Sequence, residues 1–307
     1  MTAIIEIASG LRFPEGPIAM DDGSVILVEI ARGTLSRVAV DGTVSVIAEL
    51  GGGPNGAAIG PDGAVYVCNN GGFEWHEMDG LLIPGDKPED YSGGRIERVD
   101  LSTGKVDVLY TECDGNPLNG PNDIVFDKHG GFWFTDLGKS YGRVTDRGAL
   151  FYAQPDGSSI TQQAFPLNTP NGVGLSPDEK TVYLADTVSG RLWSLQVASP
   201  GVAVSPEGPI AANLVMTAPG LQYFDSLAVD SAGNICVATI FNGGITSISP
   251  DGQSVHHTPL PDLLVTNICF GGRDLKTAYI TLSGTGTLVK MPWPVAGLPL
   301  NFLNEPS

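Results

Sequence analysis

Residues 55–69 read NGAAIGPDGAVYVCN: an apolar stretch, a Pro-Asp-Gly turn, then a strand running Val65-Tyr66-Val67-Cys68. That order is the pattern of a tight β-hairpin. The same plan recurs in EGPIAMDDGSVILVE from Glu15, NDIVFDKHGGFWFTD from Asn122, NGVGLSPDEKTVYLAD from Asn171, DSLAVDSAGNICVAT from Asp225 and NICFGGRDLKTAYIT from Asn267. Seven residues after each first residue stand Asp22, Asp62, His129, Asp178, Ala232 and Asp274, and the position after that is Gly in four of the six. Every copy therefore turns at a fixed place.

A third strand follows each hairpin, as in TLSRVAVDG, RIERVDLSTG and RLWSLQV, and most copies add a fourth, such as VSVIAEL and VDVLYTE. The first residues are spaced by 40, 67, 49, 54 and 42 positions, against roughly 40–50 residues for one four-stranded propeller blade. The expectation is an all-β, six-bladed β-propeller occupying residues 1–307 as one domain. The last copy lacks a fourth strand, and residues 2–8, TAIIEIA, have no partner of their own. This N-terminal strand is expected to join the last blade and close the ring, which pairs two sheet edges that would otherwise invite aggregation.

Composition narrows the function. Lys plus Arg is 16 against 34 Asp plus Glu, a net charge of −18, which argues against binding the polyanionic surfaces of nucleic acids and acidic membranes. With 41 Gly, 23 Pro and 42% hydrophobic residues, the chain is globular and rich in turns rather than a disordered acidic tail. Cys68, Cys113, Cys236 and Cys269 show no CxxC spacing, so neither a zinc site nor a disulfide framework is expected. No signal-peptide pattern and no membrane-length apolar run is found, and the expected location is the cytoplasm.

The first residue of each repeat carries the chemistry. In a propeller the first strand of each blade lines the central channel, so Glu15, Asn55, Asn122, Asn171, Asp225 and Asn267 converge on one mouth. All six are carboxylates or amides in otherwise apolar strands. Turn chemistry alone would accept Ser or Gly as readily and has no preference for Glu. Hard oxygen ligands without His or Cys select Ca²⁺, and less tightly Mg²⁺ or Mn²⁺. Zn²⁺ is disfavoured, because His76, His129, His256 and His257 all lie off the anchor positions.

At these residues the sequence resembles the gluconolactonase, senescence-marker and luciferin-regenerating family, with the related diisopropyl-fluorophosphatase and drug-responsive lactonase propellers. The resemblance spans residues 11–291 and rests on Glu15-Gly16-Pro17, on Pro121-Asn122-Asp123 with a following strand ending at Asp136, on Pro170-Asn171-Gly172, and on Asp225-Ser226. It implies a catalytic divalent ion, Ca²⁺ or another such as Mg²⁺, Mn²⁺ or Zn²⁺, held by Glu15, Asn122, Asn171 and Asp225. Asp123 would orient a ligand or water, and Ser226 would lend a backbone or hydroxyl contact. The senescence-marker branch has an Arg just before its Asn-Asp pair, whereas this chain has Gly120-Pro121. An apolar or mixed pocket is therefore expected rather than one built for a sugar acid.

The long interval before Asn122 holds an insertion at about residues 70–94, between the second and third strands of blade 2 and on the anchor face, where it should act as a lid. Within it Phe73 and Trp75 offer an apolar wall and His76 a titratable group that could serve as an acid, with Tyr141, Tyr223 and Phe224 on other loops of that face. Asn55 and Asn267 are candidate substrate or water contacts. The expected function is hydrolysis of a small lactone or ester, with Asp225 as general base toward water or as direct nucleophile. A phosphotriester or fluorophosphate hydrolase on the same site is the alternative, and a binding propeller with a structural ion is a third reading. The expected assembly is a monomer or small homo-oligomer.

Overall fold

The computed structural model describes residues 3–207 and 210–304, and among them all regular structure is strand. Six antiparallel sheets follow one another around a ring as a six-bladed β-propeller. The channel strands are Pro14–Ala19, Pro54–Ile59, Pro121–Phe126, Pro170–Leu175, Tyr223–Val229 and Val265–Gly271. Among the described residues no helix is long and apolar enough to cross a membrane.

The tight turn after each channel strand has a common geometry. Gly23, Gly63, Gly130 and Gly233 have left-handed φ values, and in the two blades without Gly the same position is taken by Glu179 at φ 57° and Leu275 at φ 53°. An aspartate caps each turn by accepting a backbone N–H. Asp22, Asp62, Asp178 and Asp274 do so from the expected position. In the blades with His129 and Ala232 there, Asp127 and Asp230 do it from two residues earlier.

Side chains alternate across each strand, so every blade feeds two neighbours. Phe132 and Phe134 point into the gap with blade 2, while Trp133 between them points into the gap with blade 4. Each of the six gaps carries its own apolar cluster, and all four cysteines are free and buried. Blade 4 departs from the plan. Its third strand, Arg191–Ser199, pairs near its start with Asn213–Thr217 and near its end with Val202–Val204, which accounts for part of the long interval to blade 5.

Ring closure matches the expectation. Ile5–Ala8 pairs antiparallel with Thr287–Pro292, with Ile5 opposite Lys290 and Ala8 opposite Leu288; Thr2 of the expected strand lies outside the described residues. At the channel end away from the anchors, residues 297–303 run across the opening. Leu298 N donates to Val229 O at 3.0 Å, and Asn301 Nδ2 donates to Phe126 O at 3.1 Å and Glu179 Oε1 at 2.8 Å. With Ile18, Ile59, Leu175 and Leu227, and with polar groups of Asp123, Ser176 and Glu179, they line a cavity of about 190 Å³.

Deleting residues 1–9 removes the pairing with Thr287–Pro292 and leaves an open edge. At ~1 kcal/mol per backbone hydrogen bond lost, the expected drop is about 2–4 kcal/mol, or a melting point lower by roughly 4–12 °C. Calorimetry and light scattering check this, with added self-association expected from the bared edge.

Candidate functional site

The channel strand of each blade is an edge strand with no partner on the channel side. Proline is tolerated there, and Pro14, Pro54, Pro121 and Pro170 directly precede four of the anchors. Beside each anchor the pairing with the second strand is irregular: between Glu15 and Ile18, Pro54 and Ala57, Pro121 and Ile124, Pro170 and Val173, Phe224 and Leu227, and Val265 and Asn267. Such irregularities re-aim side chains. All six anchors are buried, from 2% exposed for Glu15 to 8% for Asp225.

Close approach of neighbouring blades explains the glycines of the EGP and PNG motifs. A Cβ on Gly16, whose φ is 53°, would lie 2.6 Å from Asn55 O, and one on Gly172 would lie 2.7 Å from Asp225 O. Blade 3 has Asp123 at the corresponding position. Its carboxylate accepts Ile124 N at 3.0 Å and Val173 N at 3.2 Å, so it joins blades 3 and 4 beside the anchor ring.

The polar network at the mouth runs from blade to blade. Asn267 Nδ2 donates to Glu15 Oε2 at 2.6 Å, and Gly16 N donates to the same oxygen at 2.7 Å. Asn171 Nδ2 donates to Thr187 Oγ1 at 3.1 Å, its Oδ1 receives Ser226 Oγ at 3.4 Å, and its main-chain oxygen receives Thr135 Oγ1. Asn122 Oδ1 is buried with no hydrogen-bond partner. An orphaned amide oxygen in such a place costs about 1–3 kcal/mol.

Three carboxylates share this site, and among the described residues no Lys or Arg forms an ion pair with any of them. Burial pushes Asp225 up to about 8; the Asn171 side chain opposes this and the charge on Asp123 adds to it. Burial pushes Asp123 up to about 7 against the N–H donors of Val173, Ile124 and Leu227. Glu15 is raised well above the carboxylate range by burial and then by Asp225, with Asn267 and Gly16 opposing. Among the described residues no three His, Cys, Asp or Glu side chains gather closely enough to hold a metal ion by themselves. A cation here needs the amides of Asn122 and Asn171 beside Glu15 and Asp225, an all-oxygen set that fits Ca²⁺ chemistry.

The insertion carries a hairpin, Trp75–Met78 with Leu81–Pro84, and reaches from blade 3 to blade 6 on the anchor face. Leu82 N donates to Gly284 O at 2.9 Å and Trp75 packs on Phe13 with ring centres 5.2 Å apart. Phe73 and Trp75 are half-buried in the same cluster, whereas His76 is exposed on the hairpin. Tyr141 is exposed, its hydroxyl donating to Asp146 Oδ1 at 3.1 Å, and Tyr223 is half-buried 5.0 Å from the Phe241 ring. Phe224 corrects the sequence reading: it is wholly buried between blades 4 and 5, because adjacent strand residues face opposite ways.

Two sets of residues were missed. Lys139 is buried at the insertion's base, donating to Gly72 O at 2.6 Å and Asn70 Oδ1 at 2.9 Å with its Nζ 3.5 Å from the Phe73 ring centre, and burial lowers it to about 7. No local signal marks it, because its partners lie in another blade. The second set is missed only in part, since Asp136 already stands in the motif: Glu29, Asn69, Asp136 and Asp186 end the second strands of blades 1–4. Each accepts bonds from the segment entering its own channel strand, as Asp136 does from Asn119 N at 2.8 Å and Gly120 N at 2.7 Å. They position the anchors without being at the mouth.

The carboxylate shifts set a pH dependence. Asp123 and Asp225 have folded values of about 7 and about 8 against an ordinary 3.8, so the folded protein keeps protons that the unfolded chain releases. In chelator, their contribution should be most favourable below about pH 4 and be lost as pH rises to about 8. Urea midpoints check this: Asp225→Asn should gain on the parent across that window, and a constant difference between the two would contradict the crowding.

The chain is 26% identical to the gluconolactonase of Zymomonas mobilis, over 92% of this chain and 79% of that protein. It is 28% identical to lactonase drp35 of Staphylococcus haemolyticus, over 80% of this chain and 69% of that protein. The crystal structure of a calcium-binding protein, regucalcin, from Agrobacterium tumefaciens superposes with a TM-score of 0.74 at 19% identity, over 96% of this chain and 95% of that one. Residues 13–284 match the SMP-30/Gluconolactonase/LRE-like region, and with the match covering most of the ring, the chain belongs to that family.

Proposed function

We propose that the protein is a hydrolase that opens a lactone at the anchor-lined mouth with the help of a divalent cation, Ca²⁺ by preference. The observation that carries this reading is the unpartnered, buried Asn122 Oδ1 beside carboxylates that no protein cation balances. Glu15, Asn122, Asn171 and Asp225 would hold the ion, and two carboxylates match its charge. The relatives named gluconolactonase and lactonase support the reaction, and the calcium-binding regucalcin supports the ion. A bound divalent cation polarises a carbonyl oxygen and stabilises the negative charge that grows on it.

This chain's residues supply the rest. Asp225 delivers oxygen to the carbonyl carbon, through a water it deprotonates or from its own carboxylate. The ring C–O bond breaks and the departing alkoxide takes the proton that Asp225 removed from the attacking water or, after direct attack, a proton from a water whose hydroxide then splits the mixed anhydride on Asp225; either way a hydroxy acid results. Asp123, fixed by two backbone N–H groups, orients the water or the neighbouring anchors. Asn55 and Asn267 offer amide contacts to substrate, and Phe73 and Trp75 exclude water from that side.

Calorimetry should show Ca²⁺ binding that Glu15→Gln abolishes. In a pH-stat assay, Glu15→Gln and Asp225→Asn should each lose about 10²–10³-fold in lactone turnover, and Asp123→Asn about 10–100-fold. Full turnover by chelated protein, or by Asp225→Asn with metal bound, would sink the proposal. A fluorophosphate in the same panel tests the phosphoryl alternative. A single turnover in H₂¹⁸O tests direct attack, because label in the Asp225 carboxylate requires a mixed anhydride opened at the Asp225 carbonyl.

A further inference from the structure

The mouth has two unlike halves. On the side of blades 2 and 3, the insertion and residues 137–147 carry charged groups including Glu74, Asp86, Lys87, Asp90, Arg143 and Arg147. The side of blades 4 to 6 is framed by residues 187–190, 218–222, 241–243 and 260–264, which are the connections at the anchor end of those blades. They form one collar: Ala218 N donates to Gly190 O at 2.7 Å, Asn242 Nδ2 to Gln222 Oε1 at 3.0 Å, and Phe241 N to Leu263 O at 2.8 Å.

In a chain of net charge −18, the only charged side chain in this collar is Asp262. It is buried, with Oδ1 accepting Leu264 N at 2.7 Å and Oδ2 accepting Thr285 N at 2.9 Å and Thr285 Oγ1 at 2.8 Å. The collar presents hydrocarbon instead: Leu221 is 70% exposed, Val188 55%, Leu263 53% and Phe241 44%. Phe241 is held at φ 70°, a conformation that costs a bulky L-residue energy. Its ring lies 5.0 Å from that of Tyr223, and Tyr223 precedes Asp225 by two positions on the same strand. Ile240, opposite Tyr223 in the sheet, packs against the cluster that holds Phe73 and Trp75. Apolar surface thus continues from the insertion's wall to the open rim.

We infer that the lactone carries a hydrocarbon substituent, which lies over the Leu221–Phe241 collar while the ring carbonyl faces the anchors. This rests on the lactone-hydrolase reading and names its substrate class. Nothing in the collar offers charge, and Asn242 and Gln222 are bonded to each other, so a polyhydroxylated ring substituent finds little to bind there. A hydrocarbon chain gains from leaving water in proportion to the area it buries.

The test is a series of γ-lactones, from γ-butyrolactone through γ-hexalactone to γ-decalactone, assayed with Ca²⁺ on the parent and on the Leu221→Ser/Phe241→Asn double variant. Asn accepts a left-handed φ, and thermal melts check that the variant folds. In the parent, kcat/KM should rise about 2–4-fold per added methylene. In the variant, the decalactone-to-butyrolactone ratio should fall at least about tenfold. A flat chain-length profile in a parent that does hydrolyse lactones would overturn this inference alone. No turnover of any lactone would overturn the reaction first and this with it. A flat profile with a concentration-dependent dimer that the variant dissolves would give the patch to a second copy of the chain.

Discussion

A ring of wedges exists only if the last wedge meets the first, and everything at the mouth depends on that meeting. Each blade buries both faces, so an open ring would leave two apolar faces in water. The pairing of Ile5–Ala8 with Thr287–Pro292 joins the two ends of the chain within one sheet. It also fixes where Glu15 and Asn267 stand, since Asn267 in the last blade donates to Glu15 in the first. That contact lies across the seam. A loosened seam would therefore be felt at the site before it was felt in the distant blades.

The convergence that makes the site also makes it costly. Six buried polar residues stand at the anchor positions, and the carboxylates among them pay for desolvation and repel one another. The blades tolerate this because the carboxylates that crowd one another lie at one end of the channel; beyond them Ile18, Ile59, Leu175 and Leu227 line it, with Glu179 and Asn301 bonded to each other at the far end. Stability and function are separated along each channel strand, with the first residues turned to the mouth and the later ones packed against neighbours.

Much of this was legible in the sequence because a propeller writes its geometry as a period. The hairpin turns, the blade count, the closing strand and the six anchors all follow from register. The insertion between Asn70 and Gly94 was legible as excess length. What the sequence could not yield were relations between blades. Lys139 is unremarkable in its own loop, and its role comes from Asn70 and Gly72 in the preceding blade. Phe224 beside Asp225 reads as a mouth residue only if strand alternation is ignored. The collar of Val188, Leu221, Phe241 and Leu263 gathers single hydrophobic residues from loops tens of positions apart, each unexceptional alone.

The far end of the channel adds a kinetic consequence. Residues 297–303 span it from Val229 to Phe126 and obstruct that end, which leaves the anchor mouth as the route on which the proposed reaction relies. In the proposed reaction a lactone would arrive neutral and its hydroxy acid would depart as an anion. On a chain of net charge −18, the field resists return of that anion while leaving the neutral reactant unaffected. The anchor mouth would then serve as a rectifier for that reaction, admitting the ring and expelling the opened chain, with the bias weakening as salt screens the field.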